Sequence, residues 1–89
     1  MDNFLKKMID ILIERWGERL QLLITMEQCS QLATECSHQL RWGNNEEKVT
    51  ERVADVLIMC ETLKMVYGIK EEKIREIQLR KLTEGLKKT

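Results

Sequence analysis

Apolar residues recur along this chain at intervals of three and four, and the pattern restarts after each glycine. Phe4, Leu5, Met8, Ile9, Leu12 and Ile13 trace one stripe between Asp2 and Trp16, the signature of one face of an α-helix. Asp2 is placed to cap its start. Gly17 marks a break or a kink, with a helix continuous across it as the alternative. From about Glu18 to Trp42, the residues Leu22, Met26, Cys29, Ala33, Cys36 and Leu40 alternate steps of four and three. That spacing predicts a seam packed against another helix. A third segment, about Glu46 to Tyr67, carries a matching seam of Val49, Val53, Val56, Cys60, Leu63 and Tyr67. The fourth, Lys70 to about Lys88, sets Ile74, Ile77, Leu79, Leu82 and Leu86 among many charges. Gly43 and Gly68 suit helix C-termini, and Gly85 is expected to fray the last helix. Asn44 with Glu47 three residues later fits a capping box for the third segment.

The expectation is an all-α fold: a compact bundle of about four helices, in a single domain over residues 1–89. Composition points the same way, with no proline and an abundance of Leu, Ile, Lys, Glu, Arg and Met, all strong or tolerated helix residues. At 89 residues the core is small and invites reinforcement by assembly. Fifteen basic residues balance fifteen acidic ones, so nucleic acid, which selects a basic excess, is not the expected partner. The longest apolar run, "VLIMC" from Val56 to Cys60, falls far below the roughly 18–20 residues of a membrane span. The first sixteen residues mix apolar positions with Asp and Lys and hold no small-residue cleavage site, unlike a secretory signal. A cytoplasmic location is therefore expected. The three cysteines, Cys29, Cys36 and Cys60, form no C-x-x-C pair and sit on the apolar seams, where buried free thiols are expected.

A second line of residues flanks each long seam. On the second segment it runs Ile24, Gln28, Gln31, Glu35, His38, Trp42; on the third it runs Lys48, Arg52, Asp55, Met59, Thr62, Val66. Packed together, the two segments would bring Gln28, Gln31 and Glu35 towards Arg52 and Asp55. Asp55 stands out, since an acid within "VADVLIMC" is costly to bury without a cation or metal beside it. Two readings are open. Arg52 pairs with Asp55 or Glu51 and the glutamines form a hydrogen-bonded patch. Alternatively, the polar groups line a ligand pocket between helices.

The residues "WGERLQLLITMEQCSQLATECSHQLRWG", then "VTERVADVLIMCETLKMVYG" and a charged last helix, resemble the MazG-like all-α nucleotide pyrophosphatases, particularly their short phage and prophage versions. The resemblance runs from about Trp16 to Leu82 and rests on the Trp16–Gly17 pair, Gln21, Cys29 with Leu32, and "ADVLIM". It implies the MazG-like helical architecture. It also implies a site in which an E-E-x-x-E segment and an E-x-x-D segment on the next helix hold Mg²⁺ against nucleotide phosphates. Mg²⁺ is a hard ion that takes oxygen ligands, which paired carboxylates supply.

Carried onto this sequence, Glu27 matches the first Glu, Gln28 the second and Gln31 the third. Arg52 takes the Glu place of the second motif, and Asp55 alone keeps its acid. Lys81 matches a phosphate-facing Lys of the last helix, while Glu84 stands where that motif has Arg. Neutral amides hold a divalent cation poorly, and Arg52 places a positive charge where the metal would sit. The expectation is therefore a protein with no catalytic residues and no metal. It binds a nucleotide-like molecule through Gln28, Gln31, Glu35, Arg52 and Asp55, with His38 and Lys81 at the margin. Arg52 would meet phosphate directly. Two alternatives remain: a Mg²⁺-dependent nucleoside triphosphate pyrophosphohydrolase using the displaced acids Glu27, Glu35, Glu51 and Asp55, and a purely structural or protein-interaction bundle. Relatives of this kind assemble, so a homodimer or homotetramer is expected.

Overall fold

Asp2 opens the first helix as its side chain accepts a hydrogen bond from the Leu5 amide at 2.9 Å, which satisfies one of the free N–H groups of the first turn. The computed structural model describes residues 1–89 as three helices without strands: α1 (Asn3–Trp42), α2 (Glu46–Tyr67) and α3 (Glu71–Lys87). None is long and apolar enough to cross a membrane. Where the sequence suggests about four helices, the first two join into α1, bent at Gly17. That residue takes φ 79° and ψ 172°, backbone territory essentially reserved for glycine. Gln21, buried just past the bend, reaches back and donates from Nε2 to the Leu12 carbonyl at 3.4 Å. Gly43 and Gly68 end α1 and α2 with positive φ of 71° and 61°, as their places in the sequence imply.

The capping box does not form. Asn45, not Asn44, is the residue before α2, and no side chain caps that helix. Asn44 instead adopts a left-handed φ of 54° within the tight connection, a conformation asparagine tolerates.

All close helix–helix backbone approaches join α1 to α2; α3 makes none. α2 runs back along the long arm of α1, tied near one end where the Tyr67 hydroxyl donates to Glu18 at 2.6 Å. The short arm of α1 lies by the second half of α2, with the Met1 amino group 3.9 Å from Glu61. α3 touches the rest mainly at its start, where Lys64 bridges Glu61 and Glu71.

The packing overturns the expected seams. On α1, Leu22, Met26 and Leu40 are 39, 68 and 88 % exposed, and Cys29, Ala33 and Cys36 are exposed as well. On α2, Val53, Cys60 and Tyr67 are exposed, while Val49, Val56 and Leu63 are half-buried. What the helices turn towards each other is the flanking polar line: Gln21, Ile24, Gln28, Gln31 and Glu35 on α1, and Arg52, Asp55, Met59, Thr62 and Val66 on α2, are buried or half-buried. Ties at Tyr67–Glu18 and around Asn45 hold this rotation at both ends of the pair. The three cysteines are free thiols and exposed, not buried.

Ile9 and Met59 are the only buried apolar residues, and the other three buried residues, Gln21, Asn45 and Thr62, are polar. The radius of gyration is 15.4 Å, against about 12 Å for a compact chain of this length. The chain is all-helical as expected, but it has three helices and lacks the expected compactness: one apolar seam and all of α3 are left outside the α1–α2 pair.

Candidate ligand site between the long helices

At the middle of the α1–α2 pair the facing side chains are polar. Their positions follow from helix periodicity: Gln28, Gln31 and Glu35 sit one turn apart on α1, and Arg52 and Asp55 one turn apart on α2. Arg52 lies between two acids. Its Nη1 donates to Asp55 Oδ2 at 3.3 Å, and its Nε is 3.8 Å from Glu35 Oε2. The first contact is a hydrogen bond. The second is close enough for Coulomb attraction yet too long for a hydrogen bond.

Glu35 is itself held from below. Asn45 Nδ2 donates to the Glu35 carbonyl at 2.9 Å and to its Oε1 at 3.1 Å. The Asn45 amide donates to Gln39 Oε1 at 2.7 Å, and Gln39 Nε2 to Glu46 Oε1 at 3.3 Å. The α1–α2 connection thus positions one carboxylate of the site, and its other oxygen faces Arg52.

Three polar atoms here are buried without a hydrogen-bond partner: Gln28 Oε1, Gln31 Oε1 and Arg52 Nε. Leaving a buried donor or acceptor unpaired costs about 1–3 kcal/mol each, and all three belong to the faces that α1 and α2 turn towards each other. Gln31 uses its amide nitrogen on Glu27 Oε1 at 3.2 Å, which leaves its oxygen free. The unpaired set combines two acceptors with one edge of a guanidinium. Such a set suits a ligand with both N–H or O–H donors and an anionic acceptor.

The remaining sequence candidates are not drawn in. His38 is exposed and stands edge-on to Trp42, ring centroids 5.2 Å apart; it lines a groove with Ser30, Ala33, Thr34, Ser37 and Trp42 along the side of α1. Lys81 is exposed on α3, whose backbone makes no close approach to α1 or α2. Glu51 is exposed, and Glu27 is exposed apart from its bond to Gln31. No three His, Cys, Asp or Glu side chains converge closely enough to hold a metal ion. Another groove, lined by Leu5, Leu57, Cys60, Leu63 and Ile74, lies at the foot of α3, away from Arg52.

Sequence reasoning missed Asn45 and Gln39. The available signal was the pair Asn44–Asn45 directly after a helix-ending glycine, where one asparagine can turn the chain and the other bond back to the helix it leaves. No family model matches this chain, and no curated protein or solved structure is detectably similar to it.

Proposed function

We propose that this chain is a non-catalytic, MazG-like helical protein that binds a nucleotide or a related phosphorylated molecule between α1 and α2, without a divalent metal. The observation carrying this reading is the trio of unpartnered buried atoms, Gln28 Oε1, Gln31 Oε1 and Arg52 Nε. Asp55 holds the Nη1 side of Arg52, and Glu35 faces its Nε at 3.8 Å without a hydrogen bond, so a phosphate would take the Nε edge of the guanidinium fork by displacing Glu35. The glutamine oxygens accept from the N–H or O–H groups of a base or sugar, and Glu35 and Asp55 add further acceptors. The unpaired atoms are closed to solvent, so a ligand reaches them as the long Gln28 and Arg52 side chains swing outward.

On the MazG-like reading, Gln28, Gln31 and Arg52 stand where carboxylates would hold Mg²⁺. The substitutions exchange a metal's charge for a fixed guanidinium at the same place. In a phage-type, cytoplasmic setting such a protein would sequester or sense its ligand and not consume it.

The Arg52–Asp55 hydrogen bond favours a second reading: a neutralised pair inside a protein-interaction bundle with no ligand at all. Thermal melts against a panel of nucleoside mono-, di- and triphosphates, with Mg²⁺ and with EDTA, separate the two. Ligand binding at 100 times its dissociation constant adds about 2.7 kcal/mol to stability. Stabilisation in EDTA is expected. A flat response supports the interaction bundle, and Mg²⁺-dependent pyrophosphate release abolished by Asp55→Ala would establish an enzyme in place of either.

A further inference from the structure

α3 carries its apolar residues in two sets that face different ways. Ile74 and Ile77 are half-buried, and Ile74 shares the groove of Leu5, Leu57, Cys60 and Leu63. Leu79, Leu82 and Leu86 follow at steps of three and four, which holds them within about 60° of one another around the helix. Both isoleucines lie well round the helix from the mid-line of these leucines. The leucines are 66, 68 and 76 % exposed, and the α3 backbone makes no close approach to α1 or α2. Nothing in the chain covers this line.

The charges on α3 are unevenly placed as well. Residues 70–89 hold seven basic and four acidic residues, and residues 1–69 hold eight and eleven. The chain's zero net charge is therefore the sum of a +3 segment and a −3 body. Three of the four acids in that segment, Glu71, Glu72 and Glu76, fall in the first two turns. From Gln78 onward the charges are Arg80, Lys81, Lys87 and Lys88 against Glu84 alone, and Glu84 stands opposite the leucine line at 100° per residue. Arg80 and Lys87 lie on one side of the line and Lys81 on the other, while the positions next to it, Gln78 and Thr83, are neutral. Lysines in a last turn are ordinary company for a helix C-terminus. Three exposed leucines among them are not.

We infer that the C-terminal half of α3 lies on an anionic phospholipid surface, with Leu79, Leu82 and Leu86 dipped below the headgroups. Its cations meet lipid phosphates from both sides of the line, their long stems letting the charged ends reach headgroup level. A leucine line of two turns is too short for a specific helix–helix seam, which needs several heptads. It is long enough for shallow insertion, which requires no matching holes. Nucleic acid would use the cations and leave the leucines in water. The acidic body is repelled by the same surface that attracts α3, so α3 approaches first and the body stays outside. This inference is independent of the site between α1 and α2.

Co-sedimentation of the full chain with vesicles tests it, using phosphatidylcholine alone and phosphatidylcholine with one quarter phosphatidylglycerol. Binding should require phosphatidylglycerol and disappear in concentrated salt, which screens exposed charges. Leu82→Glu with Leu86→Glu should abolish it, and Arg80→Gln or Lys87→Gln should each weaken it about fivefold. Met26→Glu on α1, at a residue also 68 % exposed, should leave it unchanged. Should the leucine variant lose its helical circular dichroism, trypsin decides on the unaltered protein: anionic vesicles should slow cleavage after Arg80 and Lys81 more than after Arg19. Absence of binding, equal binding to both vesicles, or no protection of Arg80 and Lys81 would overturn the inference. Salt-sensitive binding that the folded leucine variant keeps would also overturn it, by assigning α3 to a purely electrostatic partner such as an acidic protein.

Discussion

Asn45 and Glu35, ten residues apart, are joined twice: the asparagine Nδ2 donates to the Glu35 carbonyl at 2.9 Å and to its carboxylate at 3.1 Å. One buried side chain thereby closes the α1–α2 connection and aims the acid that faces Arg52. Asn45→Ala leaves the Glu35 groups short of a donor and should cost about 1–3 kcal/mol, read by urea unfolding at fixed protein concentration. Asn44→Gly, at the positive-φ neighbour, should stay within about 0.5 kcal/mol of the parent. Equal effects at the two asparagines would remove Asn45 from this role.

A Cβ added at Gly17 would meet no atom within 4 Å, so the requirement for glycine there is conformational and not steric. Gly17→Ala should cost about 1–3 kcal/mol through its backbone angles alone, or straighten α1 and release the Gln21–Leu12 bond. Thermal melting and small-angle scattering together read both outcomes. An unchanged melt with an unchanged scattering profile would mean the bend is not held by glycine.

Tyr67 is the only tyrosine, so its ionisation can be followed by tyrosinate absorbance without ambiguity. Its hydrogen bond to Glu18, with some desolvation and the nearby negative charge, raises its pKa above the ordinary 10.0. Because the folded value is the higher one, the stability it contributes is present below the unfolded pKa and lost as pH rises through the folded one. Glu18→Gln should move the midpoint down towards 10.0. At the acid end, the hydrogen bond from Lys64 lowers Glu61 below 4.5, against a smaller desolvation effect. That contribution is present above the unfolded pKa and lost as pH falls through the folded one. A Tyr67 midpoint at or below its ordinary value would contradict the Glu18 tie.

Gln28→Glu, Gln31→Glu and Arg52→Glu together would put carboxylates beside Glu35 and Asp55. In EDTA the triple variant should melt below the parent, because like charges would crowd a partly buried site. Added Mg²⁺ should restore much of the loss while leaving the parent unmoved. A variant indifferent to Mg²⁺ would show that these positions do not converge on one cation.

The helices themselves were legible in the sequence, because caps and stops are local. Asp2 and the glycines at 17, 43 and 68 act through their own backbone angles and nearest amides. Which face of each helix turns inward was not legible. The line through Leu22 and Leu40 and the line through Gln28 and Glu35 share one helix, and periodicity alone does not say which meets α2. The apolar line looks like the core by every burial rule, yet the chain holds itself together along the polar one. Asn45 was missed for a related reason. A capping rule considers one helix at a time, whereas Asn45 bonds back across the connection to the helix before it. The meeting of Glu35 with Arg52 and of Arg52 with Asp55 was accessible from spacing, but that Arg52 Nε makes no hydrogen bond depends on side-chain geometry.

The central claim is that Arg52 does the work of a metal at a phosphate, and calorimetric titration of the nucleotide panel in EDTA tests it most directly. At least one phosphorylated member should bind the parent protein without metal. Arg52→Gln should weaken that binding by roughly tenfold or more, the effect of losing a charge-assisted hydrogen bond. No heat across the whole panel, or binding that appears only with Mg²⁺ and is indifferent to Arg52→Gln, would contradict it.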